Sequence, residues 1–253
     1  MHLFTRWSIL NIYKFMKSEI LVSVVTVTYN AADAVERTIN SIIPHLSDRV
    51  EYVMVDGGST DGTQSVILKH RQHIDSFISE RDRGIPDALN KAVKLSKGKY
   101  LIFILAGDLL NELPLKKLSE SNADVICFPS TYTGNGKQYP EVNNWLKIKN
   151  TIPHQGAFFK RGPDLVHDER YRFFCDFDLC QRYYLAKKVM EVHRSPFVAF
   201  HGLDGATSDK KNFHEVFKIV RRNYGLVYQL LSYVYWKFDG LKNRLGIKKN
   251  GGD

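Results

Sequence analysis

Five aspartates, Asp56, Asp61, Asp82, Asp87 and Asp108, fall at or just beyond the ends of apolar or strand-like runs. Gathered carboxylates repel one another unless a positive group sits among them. A hard divalent cation meets that need, and the same ion binds a diphosphate. Taken singly, each residue reads better as a turn former or a helix cap; their joint placement points to chemistry. A second acidic stretch runs Cys175-Asp176-Phe177-Asp178-Leu179-Cys180-Gln181-Arg182. Arg182 follows Asp178 by one helical turn and can hold its carboxylate. Asp176 suits the N-cap of a helix.

These residues need a frame. Ile20–Thr28 is β-branched and almost wholly apolar, as in a strand buried on both faces. Glu51–Val55, Ser76–Ser79 and Lys99–Leu105 predict three further strands. Between them, Val35, Ile39, Ile42, Ile43 and Leu46 recur at helical spacing, with Asp33 as a plausible N-cap. Thr63–His73 predicts a second helix, and Ile85, Ala88, Leu89, Ala92 and Leu95 a third. Strands alternating with helices imply βαβ units and a mostly parallel sheet. Ligands on such sheets bind beyond the carboxyl ends of the strands. Tyr29-Asn30, Asp56–Asp61, Glu80–Asp87 and Asp108 all lie at such ends. Past residue 111 the pattern loosens. Asp124–Phe128 and Gln155–Phe159 read as strands, Gly134–Lys149 as irregular, and Phe177–Ala186 as a helix opened by Asp176.

The chain has 253 residues, enough for one domain with an appendage, and 36 Lys/Arg against 27 Asp/Glu. A net charge of +9 favours an anionic partner. Three cysteines, Cys127, Cys175 and Cys180, cannot all pair internally and show no metal-type spacing, which favours a reducing compartment. The longest apolar stretch, Asn223–Trp236, is shorter than the ~20 residues a spanning helix needs. The N-terminal segment lacks the features of a signal peptide. A cytoplasmic location, peripheral on the inner membrane face, is the expectation.

Four stretches together bear a resemblance: Val24–Asn30 (VVTVTYN), Val55–Thr63 (VDGGSTDGT), Glu80–Asn90 (ERDRGIPDALN) and the Gly-Asp of Ala106–Asp108. The chain resembles the family 2 glycosyltransferases over roughly residues 20–205, in the bacterial branch that builds exopolysaccharide and O-antigen units. The resemblance implies a GT-A fold, a Rossmann-like α/β/α sandwich with a mostly parallel central sheet. It further implies a nucleotide-sugar donor and a divalent metal, Mg2+ or Mn2+. By motif, Thr28, Tyr29, Asn30 and Asp56 should line the nucleobase and ribose pocket. Asp82 should touch the nucleoside or sugar, and Gly84 should admit a close backbone approach. Asp87 and Asn90 either face the donor or serve the helix they open. Asp108 takes the place of the last Asp of a DxD-type motif and should bind the metal. Ala106 stands where many members carry another Asp, and Pro86 replaces a Tyr common in this branch. Asp176 falls on the family's general base, with Asp178 and Arg182 in support. His154 and Gln155 resemble a pair that touches acceptor or diphosphate. His201 lies where some members add a late metal ligand, although a lone His is more often structural.

The implied boundaries are an amphipathic segment over 1–19, a transferase domain over 20–208 and a basic helical tail over 209–253. Within the domain, 20–110 is the nucleotide half and 111–208 the acceptor half. The tail carries ten Lys/Arg and four Asp/Glu. Its apolar residues, from Phe213 and Val216 through Val227, Leu231, Val234 and Phe238, hold one helical period. One reading lays this face on an anionic membrane, with Tyr233, Tyr235 and Trp236 at the interface; the other packs it on the domain. The expected activity is inverting sugar transfer to a hydroxyl of a lipid-linked glycan. A sugar nucleotidyltransferase and a non-catalytic sugar-nucleotide binder are the rivals. Nucleic-acid binding is disfavoured, because no recognised motif is present and the charge lies away from the site.

Overall fold

The computed structural model describes residues 19–132, 136–202 and 210–244. The N-terminal segment over 1–19 therefore lies almost wholly outside the described residues, as do 203–209 and 245–253. Seven strands form the central sheet: β1 (Val22–Thr28), β2 (Val50–Asp56), β3 (Ser76–Ser79), β4 (Tyr100–Phe103), β6 (Val125–Cys127), β9 (Ala157–Lys160) and β10 (Met190–Val192), in the order β10-β6-β9-β4-β1-β2-β3. Every described pairing among them is parallel except the two made by β9. A second sheet, order β5-β11-β7-β8, joins β5 (Leu109–Leu110), β7 (Ser130–Tyr132), β8 (Gly136–Gln138) and β11 (Ala199–His201).

Helices cover both faces of the central sheet. On one side, α1 (Ala32–Ile42) and α2 (Thr63–Lys69) bury Val35, Ile39, Ile42 and Ile67 against Val22, Val24, Tyr52 and Met54. On the other, α3 (Ile85–Leu95) and α5 (Cys175–Leu185) bury Ala88, Leu89, Phe177 and Leu179 against Val25, Val27, Val53 and Phe103. A short helix, α4 (Leu115–Glu120), buries Leu118 on the first side. The side-chain alternation of β1 and β2 explains their apolar sequences, because each strand feeds two cores. This is the GT-A arrangement that the motifs imply.

Two helix starts differ from expectation. Ala31, not Asp33, occupies the N-cap of α1, and Phe174 that of α5; neither makes a side-chain capping bond. Asp33 and Asp176 both sit in the first turn, where a carboxylate still favours the helix dipole. Gln155 and Gly156, expected to start a strand, lie in a 3-10 turn (His154–Gly156) ahead of β9. The Gly134–Lys149 stretch contains β8 and a 3-10 turn.

The tail folds as two helices, α6 (His214–Tyr224) and α7 (Leu226–Arg244). Gly225 separates them at φ 87°, in the region glycine alone enters readily. That break resets the helical phase, so the single apolar face expected along the tail does not exist. Val216, Ile219 and Val220 of α6 are buried in the core beside α5. On α7, Val227, Leu231, Val234 and Phe238 are exposed, and Ser232 is buried.

Candidate active site

A cleft of 2280 Å³ opens beyond the carboxyl ends of β1, β2 and β4. Thr28, Tyr29, Asn30, Asp82, Gly84, Asp108, His154, Gln155, Asp176 and His201 all border it. Six stretches far apart in sequence thus meet at one hollow. Asp56, Asp87, Asn90, Asp178 and Arg182 do not border it.

The loops after β1 and β2 are stitched together by side chains. Asn30, at φ 46°, donates its N–H to Ser59 Oγ at 2.8 Å and accepts from Thr60 N at 2.9 Å. Thr63 Oγ1 accepts from Ala31 N at 2.8 Å, and Asp61 accepts from Ala32 N and Thr63 N. The Thr63 bonds hold the exposed Asp61 carboxyl below its usual range. Asp56 lies beneath this lattice, wholly buried. It accepts from Ser59 N at 3.0 Å, from Ser79 Oγ at 2.6 Å and from Ser59 Oγ. Its expected place in the nucleoside pocket is therefore taken by its neighbours, and Asp56 is the floor that fixes them.

Above that floor, Tyr29 is 62% exposed at the rim and Asp82 is half-buried. Burial raises the Asp82 carboxyl, against a bond from Gly84 N at 3.0 Å. A Cβ on Gly57 would meet Asp82 Oδ2, so a side chain there would displace the Asp82 carboxylate from its present position. Thr28 Oγ1 is buried at the cleft and has no partner among the described residues. An orphaned hydroxyl there is suited to bond a ligand.

Asp87 and Asn90 turn the other way. Asp87 accepts from Arg83 N at 3.0 Å and pairs with the Arg83 guanidinium at 3.1 Å, which lowers its carboxyl. Asn90 exchanges two 2.8 Å bonds with the backbone of His167. Both brace α3 rather than face the cleft.

Asp108 sits in a tight turn whose Gly107 has φ 103°. Thr38 of α1 clamps that turn, accepting from Gly107 N at 3.0 Å and donating to the Asp108 carbonyl at 2.8 Å. The Asp108 carboxylate meets His201 Nδ1 at 2.8 Å, Gly202 N at 3.1 Å and Gln155 Nε2 at 3.1 Å. Gln155 Nε2 also lies 2.7 Å from His201 Nδ1. Donation by Nδ1 to Asp108 and acceptance from Gln155 require opposite tautomers. Among the described residues no three acidic, His or Cys side chains converge as a metal cage. Asp108 and His201 nevertheless fit two places on one ion. Their 2.8 Å separation approaches the ~3 Å edge of an octahedron with ~2.1 Å bonds. Substrate oxygens and water commonly fill the rest of such a shell.

His154 stacks on Phe103 at 5.2 Å, and burial lowers its imidazole pKa despite Asp176 and Asp108 nearby. Asp176, half-buried on the first turn of α5, accepts from Asn150 Nδ2 at 3.3 Å. Asp178 is wholly buried behind it, held by Arg182 at 2.7 Å and Asn223 at 3.2 Å. The loop before α5 is fixed by the tail: Glu215, 7% exposed, accepts from the backbone N–H groups of Arg172, Phe173 and Phe174 at 2.9–3.2 Å. Sequence reasoning missed Glu215, which has no local motif. It also missed Arg37, Arg81, Lys149 and Asn150 on the cleft wall, and its two readings of the tail, on a membrane or packed on the domain, gave Tyr235 and Trp236 no place on that wall. For Arg81, its place inside the Glu80–Asn90 stretch was the available signal.

The chain belongs to glycosyl transferase family 2, whose family model matches residues 23–183. It is a glycosyltransferase. It is 27% identical over 213 residues to the PGL/p-HBAD biosynthesis glycosyltransferase of Mycobacterium bovis (BCG), covering 75% of this chain and 81% of that protein. A candidate teichuronic acid biosynthesis glycosyltransferase, TuaG of Bacillus subtilis, is 35% identical over 111 residues, 42% of this chain and 44% of that one. Among solved structures, S. aureus TarS 1-349 in complex with UDP-GlcNAc superposes with a TM-score of 0.66 at 19% identity, over 80% of this chain and 66% of that chain. This chain therefore spans just under two thirds of that TarS fragment. The mannosyltransferase PcManGT of Pyrobaculum calidifontis, in complex with GDP-Man and Mn2+, gives 0.57 at 18% identity over 85% of this chain and 64% of that chain. At such identities these neighbours support the fold.

Proposed function

We propose that this glycosyltransferase moves a sugar from a nucleotide-sugar donor, expected to be UDP-linked, to a hydroxyl of a lipid-linked glycan in surface polysaccharide biosynthesis. The observation that carries the reading is the meeting of Asp108 and Asp176 at one cleft, on walls built by different elements. Relatives named for PGL/p-HBAD and teichuronic acid biosynthesis support glycan assembly as the setting.

The donor occupies the end bordered by Thr28, Tyr29, Asn30 and Asp82. Thr28 Oγ1 gains a partner there, and the exposed Tyr29 ring offers a face to the base. Asp108 and His201 would hold a divalent ion, Mg2+ or Mn2+. When bound, that ion supplies positive charge to the donor diphosphate. Arg37 and Arg81 add fixed positive charge along the same wall. Asp176 takes the proton from the acceptor hydroxyl as its oxygen attacks the anomeric carbon. The bond from that carbon to the diphosphate oxygen breaks, and the configuration inverts in one displacement. Asn150 and the helix terminus orient the carboxylate. Asp178 and Arg182 hold α5 from behind.

The outer face of α7 supports a peripheral position on an anionic bilayer. Leu226, Val227, Leu230, Val234 and Phe238 are each at least 48% exposed on one side of the helix. The surrounding tail carries ten Lys/Arg against four Asp/Glu, the complement of acidic lipid headgroups. No helix among the described residues is long and apolar enough to cross a membrane.

Asp176→Asn tests the core of the reading. With a panel of radiolabelled nucleotide sugars and a membrane extract as acceptor, transfer falls at least ~100-fold, the usual scale for a lost general base. UDP affinity stays near the parent value. Parental turnover in the variant would remove Asp176 from the role of base.

A further inference from the structure

The tail supplies a wall of the cleft that lies outside the family-matched residues 23–183. Tyr235 and Trp236 of α7 border the cleft together with Asp176, Lys149 and Asn150. Lys149 donates to the Tyr235 hydroxyl at 3.1 Å and lies 4.8 Å from the centre of that ring. Its neighbour Asn150 reaches the other way, to Asp176. One dipeptide therefore ties the aromatic wall to the proposed base. Ser232 fixes the wall from behind through a 2.6 Å bond to the Ile148 carbonyl. Trp236 packs edge-on against Phe213 at 4.7 Å, and its indole Nε1 is buried with no partner among the described residues.

We infer that Tyr235, Trp236 and Lys149 form the subsite for a pyranose ring of the acceptor glycan. A pyranose presents C–H groups on its faces and hydroxyls round its edge. Aromatic rings match the first, and donors such as the indole N–H and the lysine ammonium match the second. An acceptor ring held here brings one hydroxyl to Asp176, while the donor end, at Thr28 and Asp82, is built by other elements. The 2280 Å³ cleft exceeds the ~300–1,000 Å³ of ordinary small-molecule sites, leaving room for two substrates. The inference rests on the transfer reading above. It adds that acceptor choice resides in the tail.

The test uses the full chain, ligand-observed NMR and methyl glycosides of glucose, galactose, N-acetylglucosamine and rhamnose, with UDP titrated separately. At least one glycoside binds the parent saturably and still binds with UDP present. Trp236→Ala weakens that binding about tenfold or more, the loss of a stacked ring and a hydrogen bond. Trp236→Phe and Tyr235→Phe give intermediate losses, and UDP affinity stays unchanged in all three. Should Trp236→Ala fail to fold, the two Phe variants carry the comparison. Equal glycoside binding in parent and variants overturns the subsite, as does a parent that binds UDP but none of the glycosides. Competition between UDP and glycoside places the wall at the donor end and also overturns it. A parent that binds neither UDP nor GDP sinks the transfer reading itself, a separate outcome.

Discussion

Removing the Glu215 carboxylate should loosen the start of α5 and, with it, Asp176 two residues beyond Phe174. One carboxylate oxygen accepts from Phe173 and Phe174, the other from Arg172. In Glu215→Gln the amide oxygen can keep the pair from Phe173 and Phe174, but the amide nitrogen then faces the Arg172 N–H. One bond is lost and the negative charge at the helix N-terminus disappears. Hydrogen bonds to a charged partner contribute about 1.5–3 kcal/mol each, so the substitution costs about 2–3 kcal/mol. For a chain of this length that corresponds to a fall in Tm of roughly 4–12 °C. Glu215→Ala leaves three donors without an acceptor and costs more, about 3–6 kcal/mol with some rehydration. Thermal melts followed by circular dichroism read the stability. Transfer rate against UDP affinity reads the site, and transfer should decline more than UDP binding. A Glu215→Gln protein melting within about 1 °C of the parent, with parental transfer, would show that the carboxylate does not hold the loop.

Two further outcomes concern buried and exposed surfaces. His167 is 1% exposed with neither ring nitrogen bonded among the described residues, and burial holds its pKa well below the ordinary value of 6.5. The unfolded chain therefore binds a proton that the folded chain refuses, so stability is intact above about pH 6.5 and falls as pH drops below it. His167→Phe should flatten the loss of Tm between pH 7.5 and 5.5; an unchanged slope would acquit this residue. For α7, co-sedimentation with vesicles of phosphatidylcholine and phosphatidylglycerol should be clear for the parent and weak for Leu230→Ser/Val234→Ser. Equal sedimentation of the two, or none by the parent, would remove the membrane from the outer face.

Much of the frame was legible because its signals are local. The β-branched run ending at Thr28 and the turn-rich loop after Asp56 announce a buried strand and its carboxyl end. The strands β5, β7, β8, β10 and β11, of two or three residues each, gave no comparable pattern and were not anticipated. Asp56 shows a different limit. A motif position says which loop a residue occupies, but not whether its side chain faces ligand or floor. Ser59 and Ser79 decide that, and they act only once β2 and β3 are paired. Asn90 likewise turned to the distant backbone of His167, while Asp87 turned to Arg83, four residues before it. Glu215 and Trp236 lie some forty to sixty residues from Asp176 in sequence, with no spacing rule to link them. The tail misled because apolar residues kept time across Gly225 while the helix did not.

That glycine works as a phase-setting joint. Each residue added to or taken from a helix turns the remainder by about 100° and moves it 1.5 Å. The present length sets Tyr235 and Trp236 on the wall of the cleft and leaves Val227, Val234 and Phe238 exposed. A single-residue deletion at the joint would bring Trp236 to the place of Tyr235 and Lys237 to the place of Trp236, so that an ammonium group would stand where the indole now borders the cleft.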